Sequence, residues 1–181
     1  MPSYVALLRA VNVGKRQVTM TALRECLTAS GLEEVETYIQ TGNVRFRSTM
    51  RSAAKVEQHV ERTLAAGCGF DVPAIIFTPS ELRQVYDDAV AATPARGNPG
   101  GENRYVVFFK EGDQPSGAGA DAIAAWDREG EAGLVIGRAV HVWLDGPMHR
   151  AKFFGAFAKP LFPGTNRNLT VVTALARRWG S

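Results

Sequence analysis

The chain has 181 residues, 45% hydrophobic and 22% charged, the balance of an ordinary globular protein and not of a disordered or fibrous one. No apolar run reaches the ~20 residues of a membrane span, and the N-terminus lacks a basic leader with a cleavage site, so the chain reads as cytoplasmic with no membrane partner. Two cysteines, Cys26 and Cys68, exclude a disulfide framework. With three histidines they form no CxxC or HxH spacing, so no metal and no cofactor is expected.

Tyr4 to Arg9 is a short apolar run with both alternating faces apolar, which predicts a central strand covered on both sides. A helix over 20–30 follows, with Met20, Leu23 and Leu27 on one stripe and Gly31 beyond its end. Val35 to Gln40 and Val44 to Ser48 predict a hairpin about Gly42-Asn43. A two-residue loop pairing Thr41 with Val44 sets Ile39 opposite Phe46 on a core face, and Tyr38 and Gln40 opposite Arg47 and Arg45 on a polar face. Ser52 to Ala66 reads as an amphipathic helix on Val56, Val60 and Leu64, and Val72 to Phe77 as a strand. The order β-α-β-β-α-β is the ferredoxin-like arrangement.

Thr78-Pro79-Ser80-Glu81 is a capping box that opens a helix to about Ala92. The glycine- and proline-rich stretch Thr93 to Asn103 is the candidate hinge. Beyond it come a strand (Arg104–Lys110), a helix (Ala120–Glu129), a hairpin about Gly137-Arg138, and helices over Met148–Ala158 and Leu169–Arg178. The fold class is therefore α+β: two ferredoxin-like (split βαβ) subdomains from a diverged duplication. The subdomains are 1–78 and 104–181, the latter βαββα with a terminal helix where a last strand is expected, joined by 79–103.

Charge is unevenly placed. Residues 1–90 hold ten basic and ten acidic side chains, 91–145 five and eight, and 146–181 six and none, within a net +3. The terminal six are Arg150, Lys152, Lys159, Arg167, Arg177 and Arg178, a cluster that favours an anionic partner, although the last two end a helix, where cations complement the dipole. The loop Ala10 to Thr19 joins a strand to a helix and carries Gly14, Lys15 and Arg16, a setting in which backbone N–H groups can hold a phosphate. It is not a P-loop, because Arg9 and Arg16 stand where glycine and Ser/Thr are required. The bland alternative is a turn in which Gly14 has an unusual backbone conformation and Asn12 bonds the loop to itself. Thr165, Asn166, Arg167 and Asn168 precede the last helix, as anion ligands or as its N-cap. Tyr38, Arg45 and Arg47 make a basic sheet face that lacks the aromatic signature of RNA-recognition strands. His141 reads as a partly buried structural imidazole, and neither cysteine has a neighbour in sequence to activate it.

Three segments, LLRAVNVG (Leu7–Gly14), VTMTALRECLTASGLEEVETYIQTGNVRF (Val18–Phe46) and TNRNLTVVTAL (Thr165–Leu175), resemble DUF1697, a bacterial family of uncharacterised proteins. Its members typically read LLRGINVGG, then a YIQSGNV hairpin, then TTRNWNTV. Here Ala10 replaces the usual glycine, Arg16 a second glycine, and Leu169 the tryptophan. The resemblance implies ferredoxin-like subdomains and no activity, and it marks Arg9, Asn12, Gly14, Gln40, Gly42, Asn43, Arg167 and Asn168 as motif positions. The leading expectation is a noncatalytic or regulatory protein that binds an anionic small molecule or nucleic acid, with Arg9, Asn12, Gly14, Lys15, Gln40, Asn43 and Thr165–Asn168 as candidate ligand-binding residues. The alternatives are an enzyme acting on a small polar or phosphorylated substrate in a cleft between subdomains, and a homodimer module.

Overall fold

The computed structural model describes all 181 residues, which form two compact units: Met1–Leu82 with Leu175–Ser181, and Arg83–Ala174. Unit 1 contains β1 (Ser3–Leu8), α1 (Met20–Ala29), β2 (Glu33–Tyr38), β3 (Asn43–Arg47), α2 (Ala53–Cys68) and β4 (Ala74–Phe77). The helix α3 (Pro79–Ala91) follows β4. Unit 2 contains β5 (Asn103–Phe108), α4 (Ala118–Ala124), β6 (Glu131–Ile136), β7 (Ala139–Leu144), a 3-10 turn at Met148–Arg150, the short helices α5 (Phe153–Ala156) and α6 (Ala158–Leu161), and β8 (Thr165–Asn168). The final helix is α7 (Leu169–Trp179). The sheets run β2-β3-β1-β4 and β6-β7-β5-β8, each fully antiparallel. One order in both sheets is what a duplicated βαββαβ element produces.

Local chemistry explains most elements of unit 1. Thr19 caps α1, accepting the Ala22 N–H at 3.1 Å, and Ser52 caps α2. Val56, Val60 and Leu64 recur at four-residue spacing and pack with Leu23, Leu27, Tyr4, Ala6 and Leu8 into one core. Each such Val or Leu contributes roughly 1.5–3 kcal/mol by leaving water. The capping box is reciprocal: Thr78 N–H donates to Glu81 at 2.7 Å, and Glu81 N–H returns to Thr78 Oγ1 at 3.2 Å. β1 lies between β3 and β4, and its opposite faces are buried, Val5 and Leu7 as fully as Ala6 and Leu8.

The first hairpin departs from the expected register. Tyr38 pairs with Asn43 and Glu36 with Arg45, so the turn holds Ile39 to Gly42 and Thr41 does not face Val44. Ile39 therefore does not oppose Phe46; it sits in the turn at φ 51, 41% exposed. The cause is tertiary. Leu8 N–H donates to Gly42 O at 2.7 Å, and a Cβ on Gly42 would lie 2.7 Å from Leu8 Cβ, so β1 clamps the turn where only glycine fits. Parity survives, with Tyr38 and Arg45 on one face, and a bulge between Glu33 and Glu36 with Glu34 at φ 50 brings Glu34 to Arg47. The second hairpin matches its expectation, Ile136 facing Ala139 about Gly137-Arg138.

Two further corrections fall in unit 2. Thr165–Asn168 is not a loop but strand β8, paired along β5, so the fourth strand missing from the sequence reading is present. The helix expected over Met148–Ala158 is broken, because Ala151 is extended (φ −68, ψ 141) and the carboxylate of Glu131 accepts Lys152 N–H and Phe153 N–H, both at 2.9 Å. That carboxylate starts α5 afresh.

Candidate functional site

The β1–α1 loop is held by its own polar groups. Asn12 N–H donates to Arg16 O (2.8 Å), and Arg16 N–H to Val13 O (3.1 Å). Asn12 Oδ1 accepts Val18 N–H at 2.9 Å, while its Nδ2 donates to Gln40 O at 2.8 Å, tying the loop to the hairpin turn. Ala10, Asn12 and Gly14 lie at φ 55, 57 and 58. Gly14 thus has the left-handed conformation, and Asn12 the self-bonding role, of the bland reading. Ala10 is strained there, since an L side chain in this region costs roughly 1–2 kcal/mol. Ala10→Gly is expected to raise stability by about 0.5–1 kcal/mol after its unfolded-state entropy is subtracted. Urea unfolding with an unchanged slope and a higher midpoint checks this.

A groove of about 380 Å³ opens beside this loop at the start of α1, lined by Asn12, Gln17, Val18, Thr19, Met20, Thr21 and Gln40. The first turn of α1 has no acidic residue, and residues 1–24 hold Arg9, Lys15, Arg16 and Arg24 with no carboxylate. Lys15 is exposed at the loop tip. Arg16 lies over the Phe70 ring (5.6 Å) and donates to Asp71 O (3.3 Å); Arg24 donates to Thr37 at 2.6 Å. Arg9 is half-buried, its N–H on Pro73 O at 2.9 Å. Asn43 is fully buried, and its Nδ2 donates to Tyr38 O and Thr41 Oγ1, both at 3.0 Å. It locks the turn that carries Gln40.

The arginine-bearing sheet face is internally neutralised. Arg47 meets Glu34 at 2.8 Å and Arg45 meets Glu36 at 3.2 Å; the hydrogen bond from Arg47 holds the Glu34 carboxyl below its ordinary range. Trp179 stands edge-on to Tyr38 and donates to Glu36 at 3.1 Å, while Arg178 lies over the Tyr38 ring. Tyr38 is thus occupied by the chain's own terminus, and Arg178 has a packing role there.

In unit 2, β8 turns two candidates inward. Thr165 and Arg167 are 6% and 7% exposed, with Arg167 Nη1 donating to Thr165 Oγ1 and to Asn166 O at 2.8 Å. Burial lowers the Arg167 guanidinium to about 10, so it stays charged at neutral pH. Asn168 is the N-cap of α7, its Oδ1 accepting Val171 N–H at 2.8 Å. Asn166 faces an apolar cavity with Met148. The sequence reading missed Arg104, Glu131 and the depth of His141. Arg104 lies 4.8 Å over Trp143 and donates to Ala89 O, with its Nε unpartnered. His141 is 1% exposed with neither ring nitrogen bonded. Strand alternation placed His141 beside Trp143, but no local signal marks a carboxylate or guanidinium whose partners lie in other elements. Cys26 and Cys68 are both half-buried, and burial raises the Cys68 thiol. No three His, Cys, Asp or Glu side chains gather as a metal ion requires, and no helix is long and apolar enough to cross a membrane.

Two βαββαβ units of identical strand order define an α+β protein of paired ferredoxin-like units. The chain belongs to the DUF1697 family of proteins of unknown function, whose sequence model matches residues 1–141. It is similar in fold to the conserved bacterial protein SP0830 from Streptococcus pneumoniae, at 23% identity and a TM-score of 0.72 over 100% of this chain and 99% of that one. No curated protein matches the chain.

Proposed function

We propose that the protein binds an anionic ligand, nucleotide-like or nucleic acid, at the β1–α1 groove of unit 1 and performs no chemistry on it. The observation that carries this reading is a groove at the start of α1 lined by Asn12, Gln17, Thr19 and Gln40, in a stretch of chain, residues 1–24, that holds four basic residues and no carboxylate. Helix-start N–H groups and the dipole favour a phosphate there, and Lys15 adds a mobile cation without a fixed partner to give up. Asn12 and Asn43 keep the groove's two walls in register, and Gln17, Thr19 and Gln40 supply polar contacts. Thr165 and Arg167 are buried in β8, and we assign them a structural role rather than contact with this ligand.

Equilibrium titration with ATP, ADP and a mixed-sequence oligonucleotide tests the reading. Binding should be present at low ionic strength and fall steeply with salt. Lys15→Glu, at an exposed position, should weaken it by roughly tenfold, as about 1.4 kcal/mol of charge interaction implies. No binding at low salt, or binding indifferent to Lys15→Glu, contradicts it.

A further inference from the structure

A second cavity lies within unit 2. It measures about 300 Å³ and is lined by Val107, Met148, Phe154, Leu161, Gly164 and Asn166. Val107 and Leu161 are buried in the core of the unit and Phe154 packs against it, so the walls are apolar apart from one amide. Strand pairing explains how that amide arrives. Asn166 stands opposite Val107 in the β8–β5 ladder, so its side chain shares the Val107 face, while its buried neighbours Thr165 and Arg167 turn to the other.

The Asn166 amide is badly served. Buried polar atoms are nearly always hydrogen-bonded, and an amide brings two N–H donors and an acceptor oxygen. Here Oδ1 is buried without any donor, and Nδ2 donates to the Met148 thioether at 3.3 Å, a weak acceptor. Both halves of one side chain therefore lack a proper partner, at the wall of a cavity of small-molecule size. Met148 is the part of the wall that can give way, being 42% exposed, unbranched and held in a three-residue turn. The wall at Gly164 cannot, since a Cβ there would already lie 2.5 Å from Val107 Cγ1.

The complement of an amide with an unused acceptor and an underused donor is a second amide, its N–H on Oδ1 and its C=O on Nδ2. An ammonium or a carboxylate satisfies one half only, and either charge loses hydration among apolar walls. A ketone leaves Oδ1 as it was. We propose that this cavity binds a neutral carboxamide on a small aromatic or hydrocarbon body, with the body among Val107, Phe154 and Leu161 and the carboxamide on the Asn166 amide in place of the Met148 thioether. The site lies in the other unit from the groove assigned above and does not rest on that assignment.

The test is an NMR titration of the full chain, isotope-labelled at the methionine methyls and the side-chain amides. The probes share one shape: phenylacetamide, phenylacetone, in which a methyl replaces the amide nitrogen, and phenylacetate, in which an anionic oxygen does. Phenylacetamide should bind saturably and move the Met148 methyl and the Asn166 side-chain amide, leaving the methyls of Met1, Met20 and Met50 in place. The ketone and the carboxylate should bind at least roughly tenfold more weakly, since each leaves Oδ1 unpaired. Asn166→Leu, which keeps the backbone pairing of β8, should bring phenylacetamide down to the affinity of the ketone. Equal affinities for amide and ketone overturn the proposal, as do an unmoved Asn166 amide and an affinity unchanged in Asn166→Leu. The probe ratio and the Asn166 signals are read on the wild-type chain, so they decide the matter even if the variant does not fold.

Discussion

Glu131→Ala should destabilise the protein by about 3–5 kcal/mol, the cost of removing one side of a buried, fully used charge. The carboxylate is 7% exposed and accepts Lys152 N–H and Phe153 N–H at 2.9 Å and the Trp126 indole N–H at 3.2 Å, with Arg128 at 3.2 Å. Alanine strands three donors at once and frees the start of α5, which carries Phe153 into the unit 2 core. Arg128→Ala removes only a half-exposed cation and should cost less than about 1 kcal/mol. Glu131→Gln, which turns an amide N–H toward one of the donors, should fall between them at about 1–3 kcal/mol. Denaturant unfolding followed by near-ultraviolet circular dichroism, to which Trp126 contributes, measures all three. A small loss in Glu131→Ala would mean that the broken helix holds itself without the carboxylate.

His141→Leu should instead stabilise the protein, and by more in acid. Burial lowers the His141 imidazole from 6.5 to about 4; Arg104 adds to that and Asp88 partly opposes it. Since the folded value lies below the unfolded one, the unfolded chain binds the proton first, and stability drains away as pH falls from about 6.5 toward 4. That loss amounts to about 3 kcal/mol at pH 4, at 1.36 kcal/mol per unit. At pH 7 the imidazole is neutral, yet both nitrogens are buried without partners, a cost of about 1–3 kcal/mol that a leucine of similar volume removes. The stability difference between variant and wild type should therefore grow below pH 6.5 and level off below pH 4. A difference independent of pH would show that His141 reaches solvent or a partner when protonated.

These residues also show what the sequence made legible. The Thr78–Glu81 cap, the Val56, Val60 and Leu64 stripe and the Gly137-Arg138 hairpin arise from interactions within a few residues, and each was readable. The self-bonded loop at Asn12 was readable for the same reason. Strand β8 was not, because TNRN carries no alternation of its own and becomes a strand only by pairing with β5, about sixty positions earlier. Ile39 was misplaced because Leu8, closing on Gly42, decides the turn. The arginine face was found with correct parity, but not its neutralisation by Glu34 and Glu36, which needs the bulge, nor the arrival of Trp179, 143 positions from its partner Glu36. Among the candidate site residues, Asn12, joined locally to Val18, was readable, whereas Asn43, read only as part of the turn, begins β3 and is fully buried, bonded to Tyr38 and Thr41.

The claim of an anion-binding groove at the start of α1 is tested most directly by backbone-amide NMR during titration with ATP and with a short oligonucleotide at low ionic strength. The amides of residues 14–21 and of Gln40 should shift to saturation, and added salt should return them to their starting positions. Amides in that set that stay fixed while others move, or that stay fixed throughout, would contradict the account.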